Sequence, residues 1–378
     1  MNITMLTSTP PTKGISKYSA SLVDALSSIE DVEVLSFKSM YPNFLYPGGA
    51  DDLSLRPIEE SKSISIRRFL TWYNPVGWVY AGLTVRGDIL HVQWWTYVLA
   101  PVYATIMFIA KIRGKKIVVT MHNVKPHEGG VLKELANKSI VSLGSHYIVH
   151  TEEGKKDFVE LYKKSEDSVD VVPHGILMPD APMRNLTKSE ARSLLKIPKD
   201  KKVLLFFGII REYKGLDVLM DAFAKVVEEV PEALLVIAGK PWQDWMYYQN
   251  FIDSHNLADF IKTDLAFIPE DDIEKYYQTA DIVVLPYRHF DAQSGAGMLA
   301  LPFGRAMVVT DTGGLSGLVR DSRAIVKPGD ADEMSKILVT ILKDESLQKK
   351  MERDSLLIAS GFAWGSIAKK TVKLYKSL

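Results

Sequence analysis

The sequence predicts an α/β protein of two doubly wound, Rossmann-like domains facing a central cleft. Three observations carry that expectation. Short runs rich in Val and Ile, many apolar on both faces, alternate with helical patterns along nearly the whole chain. Buried parallel strands and their crossover helices read this way. The alternation comes as two series, each of ordinary domain size. Between them the Pro-containing piece HGILMPDAPMRN (174–185) reads as a linker.

The first series offers strands at NITMLT (2–7), VEVLSF (32–37), DILHVQ (88–93), KIVVTMH (116–122), YIVH (147–150) and VDVV (169–172). Ile15, Tyr18, Leu22, Ala25, Leu26 and Ile29 recur at helical spacing after the first strand. Residues 38–67 show little periodicity and read as a long loop. Phe69, Trp72, Tyr73 and Trp78 follow, either packing that loop or facing an apolar or sugar acceptor. The second series runs KVLLFFG (202–208), LLVIAG (234–239), FIKTDLAF (260–267), DIVVLPY (281–287), AMVVTD (306–311) and RAIVK (323–327). TKSE (187–190) has the spacing of a capping box and opens a helix. The tail, 363–378, is a last helical pattern with Trp364, Ile367, Val372 and Tyr375 for docking. The expected divisions are 1–180, 181–360 and 361–378.

Composition narrows the function. Hydrophobic residues make up 47% and charged residues 24%, as in an ordinary globular chain. The formal net charge is zero, so nothing points to a nucleic-acid partner. There is no cysteine, which excludes disulfides, thiolate zinc sites and Cys nucleophiles. No HExxH spacing suggests a metal, and no GxGxxG suggests a dinucleotide. The start, MNITMLTSTPPTKG, lacks a basic leader region, so a cytoplasmic chain is expected. VQWWTYVLAPVYATIMFIAKI (92–112) approaches membrane-spanning length. Its Gln93, Thr96, Pro101, Thr105 and Lys111, and the strand running into it, favour a crossover helix. Trp72, Trp78, Trp94 and Trp95 with Arg67 and Arg68 raise a peripheral contact with the inner membrane face.

Ligands of doubly wound folds sit beyond the carboxyl ends of the strands. In the first domain Gly14 follows strand one and opens a helix, where backbone can approach a ligand. His122 closes its strand, with His127 and Glu128 just beyond, and could orient a sugar hydroxyl. His91, His146, His150 and His174 read rather as satisfied core histidines. In the second domain a strand ends at Gly208. Arg211 and Lys214 follow, and Gly215 admits the next helix. Two fixed cations beside a helix start make a phosphate clamp. Beyond DIVVLPY, Ser294 can cap a helix, and Gly295, Ala296 and Gly297 are small enough to bring N–H groups against a diphosphate. Pro302 should end that helix early.

Together, PPTKGISKYS, TMHN, IVHTEEGKKDF, VVPHGI, FFGIIREYKGLDVLMDAF, ADIVVLPY and FGRAMVVTDTGGL resemble the retaining glycosyltransferases of family 4, of GT-B fold. The resemblance covers nearly the whole chain. It implies transfer of a sugar from a nucleotide sugar, UDP- or GDP-linked, to a glycan, lipid-linked glycan or small molecule. Anomeric configuration would be kept, as in a hexosyltransferase (EC 2.4), with no metal and no cofactor. It implies that Arg211 and Lys214 hold the donor diphosphate and that His122 lies near the transferred sugar. Gly14 would lie close to donor and acceptor, Lys17 and Tyr18 on the acceptor side, and the last helix would cross back onto the first domain. The family usually has two glutamates eight residues apart in YRHFDAQSGAGMLALPFG (287–304). Here those positions hold Asp291, one methylene shorter, and Leu299, which cannot accept a ribose hydroxyl. A nucleotide-sugar epimerase on the same architecture and a non-catalytic sugar-nucleotide-binding subunit are the alternatives. Sugar, base, acceptor, linkage and oligomeric state stay open.

Overall fold

The structure is a computed structural model. It describes residues 1–12, 14–41, 57–124, 131–176, 178, 183–289 and 294–378. The chain divides into two units: Met1–Gly175 with Phe362–Leu378, and Ile176–Gly361.

Unit 1 holds one parallel sheet. Its strands are β1 (Asn2–Leu6), β2 (Asp31–Ser39), β3 (Ile64–Thr71), β4 (Ile89–Trp94), β5 (Lys116–Met121), β6 (His146–Val149) and β7 (Val169–Val171). Their order is β3-β2-β1-β4-β5-β6-β7. The helices are α1 (Ser16–Ser27), α2 (Pro75–Leu83), α3 (Ala100–Ile112), α4 (Val131–Leu143), α5 (Glu152–Tyr162) and, from the end of the chain, α13 (Trp364–Ser377). Two apolar layers cover the sheet. Residues of α2, α3, α4 and α5 build one. Tyr18, Leu22 and Leu26 of α1 and Ile367, Val372 and Tyr375 of α13 build the other. The C-terminal helix thus belongs to unit 1, where Lys376 also pairs with Glu30 at 3.0 Å.

Unit 2 holds a second parallel sheet of β8 (Lys202–Phe207), β9 (Ala233–Ala238), β10 (Ile261–Asp264), β11 (Ile282–Leu285), β12 (Ala306–Thr310) and β13 (Ile325–Val326). Their order is β10-β9-β8-β11-β12-β13. Its helices are α6 (Lys188–Leu194), α7 (Leu216–Glu229), α8 (Met246–Ser254), α9 (Glu270–Thr279), α10 (Gly295–Ala300), α11 (Ala331–Lys343) and α12 (Glu345–Phe362). The capping box forms at Thr187 and Glu190. Asp281 ties α6 to the sheet: it accepts from Arg192 at 2.7 Å and from the Val203 amide at 2.6 Å. α10 stops at Ala300, two residues before Pro302, which cannot continue a helix.

The sheets correct three expectations. Residues 38–67 are not one loop, because β2 runs to Ser39 and β3 begins at Ile64. β3 is an edge strand holding Arg67 and Arg68, and its mixed burial hides the strand period. The strand expected at 260–267 is only Ile261–Asp264, and that at 323–327 only Ile325–Val326. Both lie on sheet edges, where one missing neighbour leaves less to bury. Residues 42–56, His127 and Glu128 lie outside the described residues.

Both sheets reverse strand order beside their first strand, at β1/β4 and at β8/β11. Loops leaving the carboxyl ends at such points diverge and open a crevice.

Candidate active site

In unit 2, β8 runs into Gly208 at φ 106°. Close packing of three strand-end loops demands glycine here. A Cβ on Gly239 would lie 2.0 Å from the Gly208 carbonyl, and one on Gly215 2.0 Å from the Pro286 carbonyl. Gly215 also has φ 66°, in the left-handed region. The Arg288 amide donates to the Tyr213 carbonyl at 2.7 Å and ties the β8 and β11 loops together.

These loops fix both predicted cations. The Arg211 guanidinium lies 3.9 Å from the ring centre of Trp242. Stacking of this kind leaves the planar N–H edge free to bind an anion bidentately. Lys214 ends a short 3-10 turn, Glu212–Lys214. Its ammonium lies 5.5 Å from the Tyr287 ring centre. Burial, then the neighbouring Arg211 charge, lowers the Lys214 pKa to about 8. Among the described residues neither cation pairs with a carboxylate, whereas nearby Arg288 pairs with Asp217. Among the described residues the result is positive charge at the strand end that no carboxylate pairs with, the electrostatic complement of a diphosphate.

Tyr287 links this loop to the segment beyond β11. Its hydroxyl and that of Ser294 are 3.0 Å apart. Its carbonyl accepts from Thr310 at 2.6 Å. Ser294 caps α10 by accepting from the Gly297 amide at 3.3 Å, and the Tyr277 hydroxyl donates to the Ala296 carbonyl at 2.8 Å. Gly295 is exposed and open, with nothing near its missing side chain. Gly297 is buried, and a Cβ there would meet Leu318 at 2.4 Å and Leu285 at 2.8 Å. It therefore has a packing reason as well as its cap bond. Leu299 is half-buried. Asp291 lies outside the described residues.

In unit 1 the strand ends gather aromatic and imidazole rings instead of cations. Gly14 has φ 94°, and a Cβ there would lie 2.5 Å from the Trp95 indole, so the turn needs glycine. Lys17 is half-exposed on α1, and Tyr18 beside it is buried. The Tyr18 ring stands 4.7 Å from His122, 4.7 Å from His174 and 5.1 Å from Trp364. Desolvation raises its phenol pKa far above the usual value.

His122 does not stand alone. β5 and β6 pair Thr120 with Ile148, so His122 and His150 end neighbouring strands in the same register. Their Nδ1 and Nε2 atoms are 3.3 Å apart. The other nitrogen of His150 lies 2.9 Å from the Val172 carbonyl, and that of His122 2.8 Å from the Gln93 amide. Gln93 continues to His91, which bonds Thr120 at 2.7 Å and the Tyr375 hydroxyl of α13.

His150 donates from Nδ1 to the Val172 carbonyl, and its Nε2 lies 3.3 Å from His122 Nδ1. His122 Nε2–H donates to the Gln93 amide oxygen at 2.8 Å, and the Gln93 NH2 group donates to His91 Nε2 at 3.1 Å. Burial first, then the neighbouring histidines, holds His122 well below the usual imidazole value. Burial likewise lowers His150 to about 4 and His91 to about 3. Both ring nitrogens of His122 are thus engaged within unit 1, and the ring presents an uncharged surface beside Tyr18.

Sequence reading left His150 and His174 in the core and did not single out Trp242. The signal for His150 was present, since TMH and IVH close adjacent strands alike. Trp242 had none: it reaches Arg211 only because β8 and β9 lie side by side, with Ile210 bridging to Pro241. His91 and His146 are satisfied internally, His146 by Asp170 at 2.7 Å. Among the described residues no group of His, Asp and Glu has the makings of a metal site.

Residues 187–355 match the family Glycosyl transferases group 1. The protein is a glycosyltransferase. That match spans unit 2 from α6 into α12, including both cations. The chain is 24% identical over 311 residues to a D-inositol 3-phosphate glycosyltransferase of Thermobispora bispora, covering 77% of this chain and 70% of that one. Among solved structures it is similar to Anabaena Alr3699/HepE in complex with UDP, with TM-score 0.69, 17% identity and all of both chains covered. It is also similar to a sucrose-phosphate synthase from Thermosynechococcus elongatus, with TM-score 0.65 and 17% identity over 100% of this chain and 98% of that one. Two Rossmann-like units with these neighbours give this glycosyltransferase the GT-B fold.

Proposed function

We propose that the enzyme transfers a sugar from a nucleoside diphosphate sugar to an acceptor hydroxyl with retention of configuration and without a metal ion. One observation carries the reading. Arg211 and Lys214 sit at the β8 strand end with no carboxylate partner among the described residues, and Lys214 is desolvated enough to lower its pKa. An anionic leaving group is what such a pair stabilises. The relative complexed with UDP, and its UDP-glucose complex, favour a uridine donor over a guanosine one.

In the reaction the acceptor hydroxyl oxygen bonds to the anomeric carbon. The bond from that carbon to the diphosphate oxygen breaks, and the nucleoside diphosphate leaves with the electron pair. The acceptor proton passes to the departing phosphate oxygen. Arg211 and Lys214 hold the diphosphate and offset the charge that grows on it, as a fixed array costing no reorganisation. The capped turn of Ser294, Gly295, Ala296 and Gly297, with Gly208, lines the donor. The family resemblance assigns Asp291 to the transferred sugar and Leu299 to the ribose side. In unit 1, Gly14, Lys17, Tyr18 and His122 make the acceptor side. The acceptor is a glycan, a lipid-linked glycan or a small polyol.

A thermal-shift series with UDP, GDP and ADP, each with and without EDTA, tests donor and metal together. A ligand at a hundred times its dissociation constant adds roughly 2.7 kcal/mol of stability. The proposal expects UDP to stabilise most, with no effect of EDTA. Stabilisation that vanishes in EDTA refutes the metal-free reading, and no stabilisation by any nucleotide refutes the donor reading.

A further inference from the structure

The aromatic residues that suggested a membrane contact in the sequence are largely spent inside unit 1. Trp94 is buried and donates to Asn137 at 2.8 Å, and Trp78 donates to the Thr71 carbonyl at 2.6 Å. Arg67 pairs with Glu33 at 3.1 Å, and Arg68 donates to Thr9 at 2.7 Å. A different surface stands open. α2, PVGWVYAGL, is almost wholly apolar, yet only Ala81 and Gly82 are buried. Val76, Val79, Tyr80 and Leu83 are exposed, Val76 by 77%. Their spacing of three and four puts them on one stripe facing away from the sheet. On α3 the same holds for Phe108 and Ile112, 55% and 70% exposed. The two helices touch closely, since a Cβ on Gly82 would lie 2.7 Å from that of Ile109. Their open stripes are therefore neighbours.

Charge around the stripes is one-sided. Between Trp72 and Lys116 the chain carries Arg86, Lys111, Arg113, Lys115 and Lys116 against Asp88 alone, five cations to one acid, in a protein of zero net charge. Arg113 donates to the Gly82 and Val85 carbonyls at 3.1 and 3.0 Å, which fixes a cation at the end of α2. Of the five, only Arg86 pairs with a carboxylate among the described residues, Glu33 at 3.5 Å. Half-exposed Trp72 and exposed Tyr73 lead into α2, residue types that favour the water–hydrocarbon boundary.

We propose that the outer faces of α2 and α3 dock on the surface of an anionic lipid bilayer. An apolar stripe alone would suit a second copy of the chain equally well. The local excess of positive charge opposes that, because two such faces repel, and it complements acidic headgroups. Val76, Tyr80, Phe108 and Ile112 enter the boundary between headgroups and acyl chains while the cations stay among the headgroups. α2 follows the carboxyl end of β3, so its stripe starts at Val76 at the same end of the sheet from which Gly14 follows β1. A lipid-borne acceptor would arrive there.

The test pellets the full-length protein with phosphatidylcholine vesicles and with vesicles also containing phosphatidylglycerol. The expected result is salt-sensitive binding to the second kind only. Joint Val76→Ser, Tyr80→Ser, Phe108→Ser and Ile112→Ser substitution should weaken it about tenfold or more, with nucleotide binding unchanged. Because the chain has no cysteine, Val76→Cys carrying an environment-sensitive fluorophore gives a reading free of folding effects. Its emission should shift to the blue on acidic vesicles, and that of a label at Glu345→Cys should not. The proposal fails if the protein stays in the supernatant at low salt or if the Val76 label does not shift. It fails equally if the protein is a dimer that the fourfold substitution makes monomeric and that ignores vesicles. None of these outcomes bears on the donor site, so this inference and the proposed activity fail separately.

Discussion

The two units use the same topology and fill their strand ends oppositely. In unit 2 the loop after β8 presents Arg211 and Lys214, cations without carboxylate partners among the described residues. In unit 1 the ends of β5 and β6 present His122 and His150, imidazoles kept neutral and bonded to each other. The difference is one of chemistry rather than fold. Fixed positive charge suits a leaving diphosphate, whereas an uncharged surface of rings around Tyr18 suits a sugar or polyol with little charge to bind. A doubly wound sheet supplies a crevice, and the residues placed in it decide what enters.

The comparison breaks most visibly at Lys214. Lys214→Ala should lower kcat/KM for transfer by about a hundredfold or more, with an unchanged melting temperature, in a steady-state assay with nucleotide sugar. His150→Ala, which frees a nitrogen of His122 and the Val172 carbonyl but removes no charge from the donor side, should cost about tenfold. Equal losses would erase the distinction between the units. Next in size is Gly215→Ala, at φ 66° against the Pro286 carbonyl. It should destabilise the protein by about 2 kcal/mol or more in urea unfolding.

Two pH profiles separate the units further. Nucleoside diphosphate affinity should be flat near pH 7 and fall above pH 8 as Lys214 loses its proton, by up to about tenfold per pH unit. Lys214→Ala should abolish that slope in calorimetric titrations. The histidines act on stability with the opposite sense. His91 falls to about 3 and His150 to about 4 in the fold, against 6.5 ordinarily. Between about pH 6.5 and pH 4 the unfolded chain therefore binds more protons than the folded one. Stability is full above pH 6.5 and lost as pH falls, by up to about 1.4 kcal/mol per pH unit per histidine. His150→Gln should make unfolding less pH-dependent over that range. The smallest effect belongs to Leu299→Glu, which should change UDP affinity by no more than about threefold, since only ribose contacts are added.

Much of this was legible in the sequence, and unevenly so. Central strands declare themselves because both faces are buried, as β4 and β5 show, buried at every position but Lys116. β3 stayed hidden because Arg67 and Arg68 on an edge break the pattern. Arg211, Lys214 and Gly215 could be placed from their position after a strand. The imidazole chain from Tyr375 to Val172 could not, because its members lie on separate strands and a helix nearly three hundred residues apart. The apolar stripe of α2 was masked for another reason: exposed Val76 and Leu83 look, in sequence, like core residues.

The central claim is that Arg211 and Lys214 hold the diphosphate of the donor. Isothermal titration of UDP into the wild-type protein, Lys214→Ala and Arg211→Ala at pH 7 tests it most directly. Each substitution removes a charge-assisted contact and should weaken UDP at least tenfold, about 1.4 kcal/mol, with uridine itself scarcely affected. Equal UDP affinity in all three proteins would contradict the account and move the donor away from the β8 strand end.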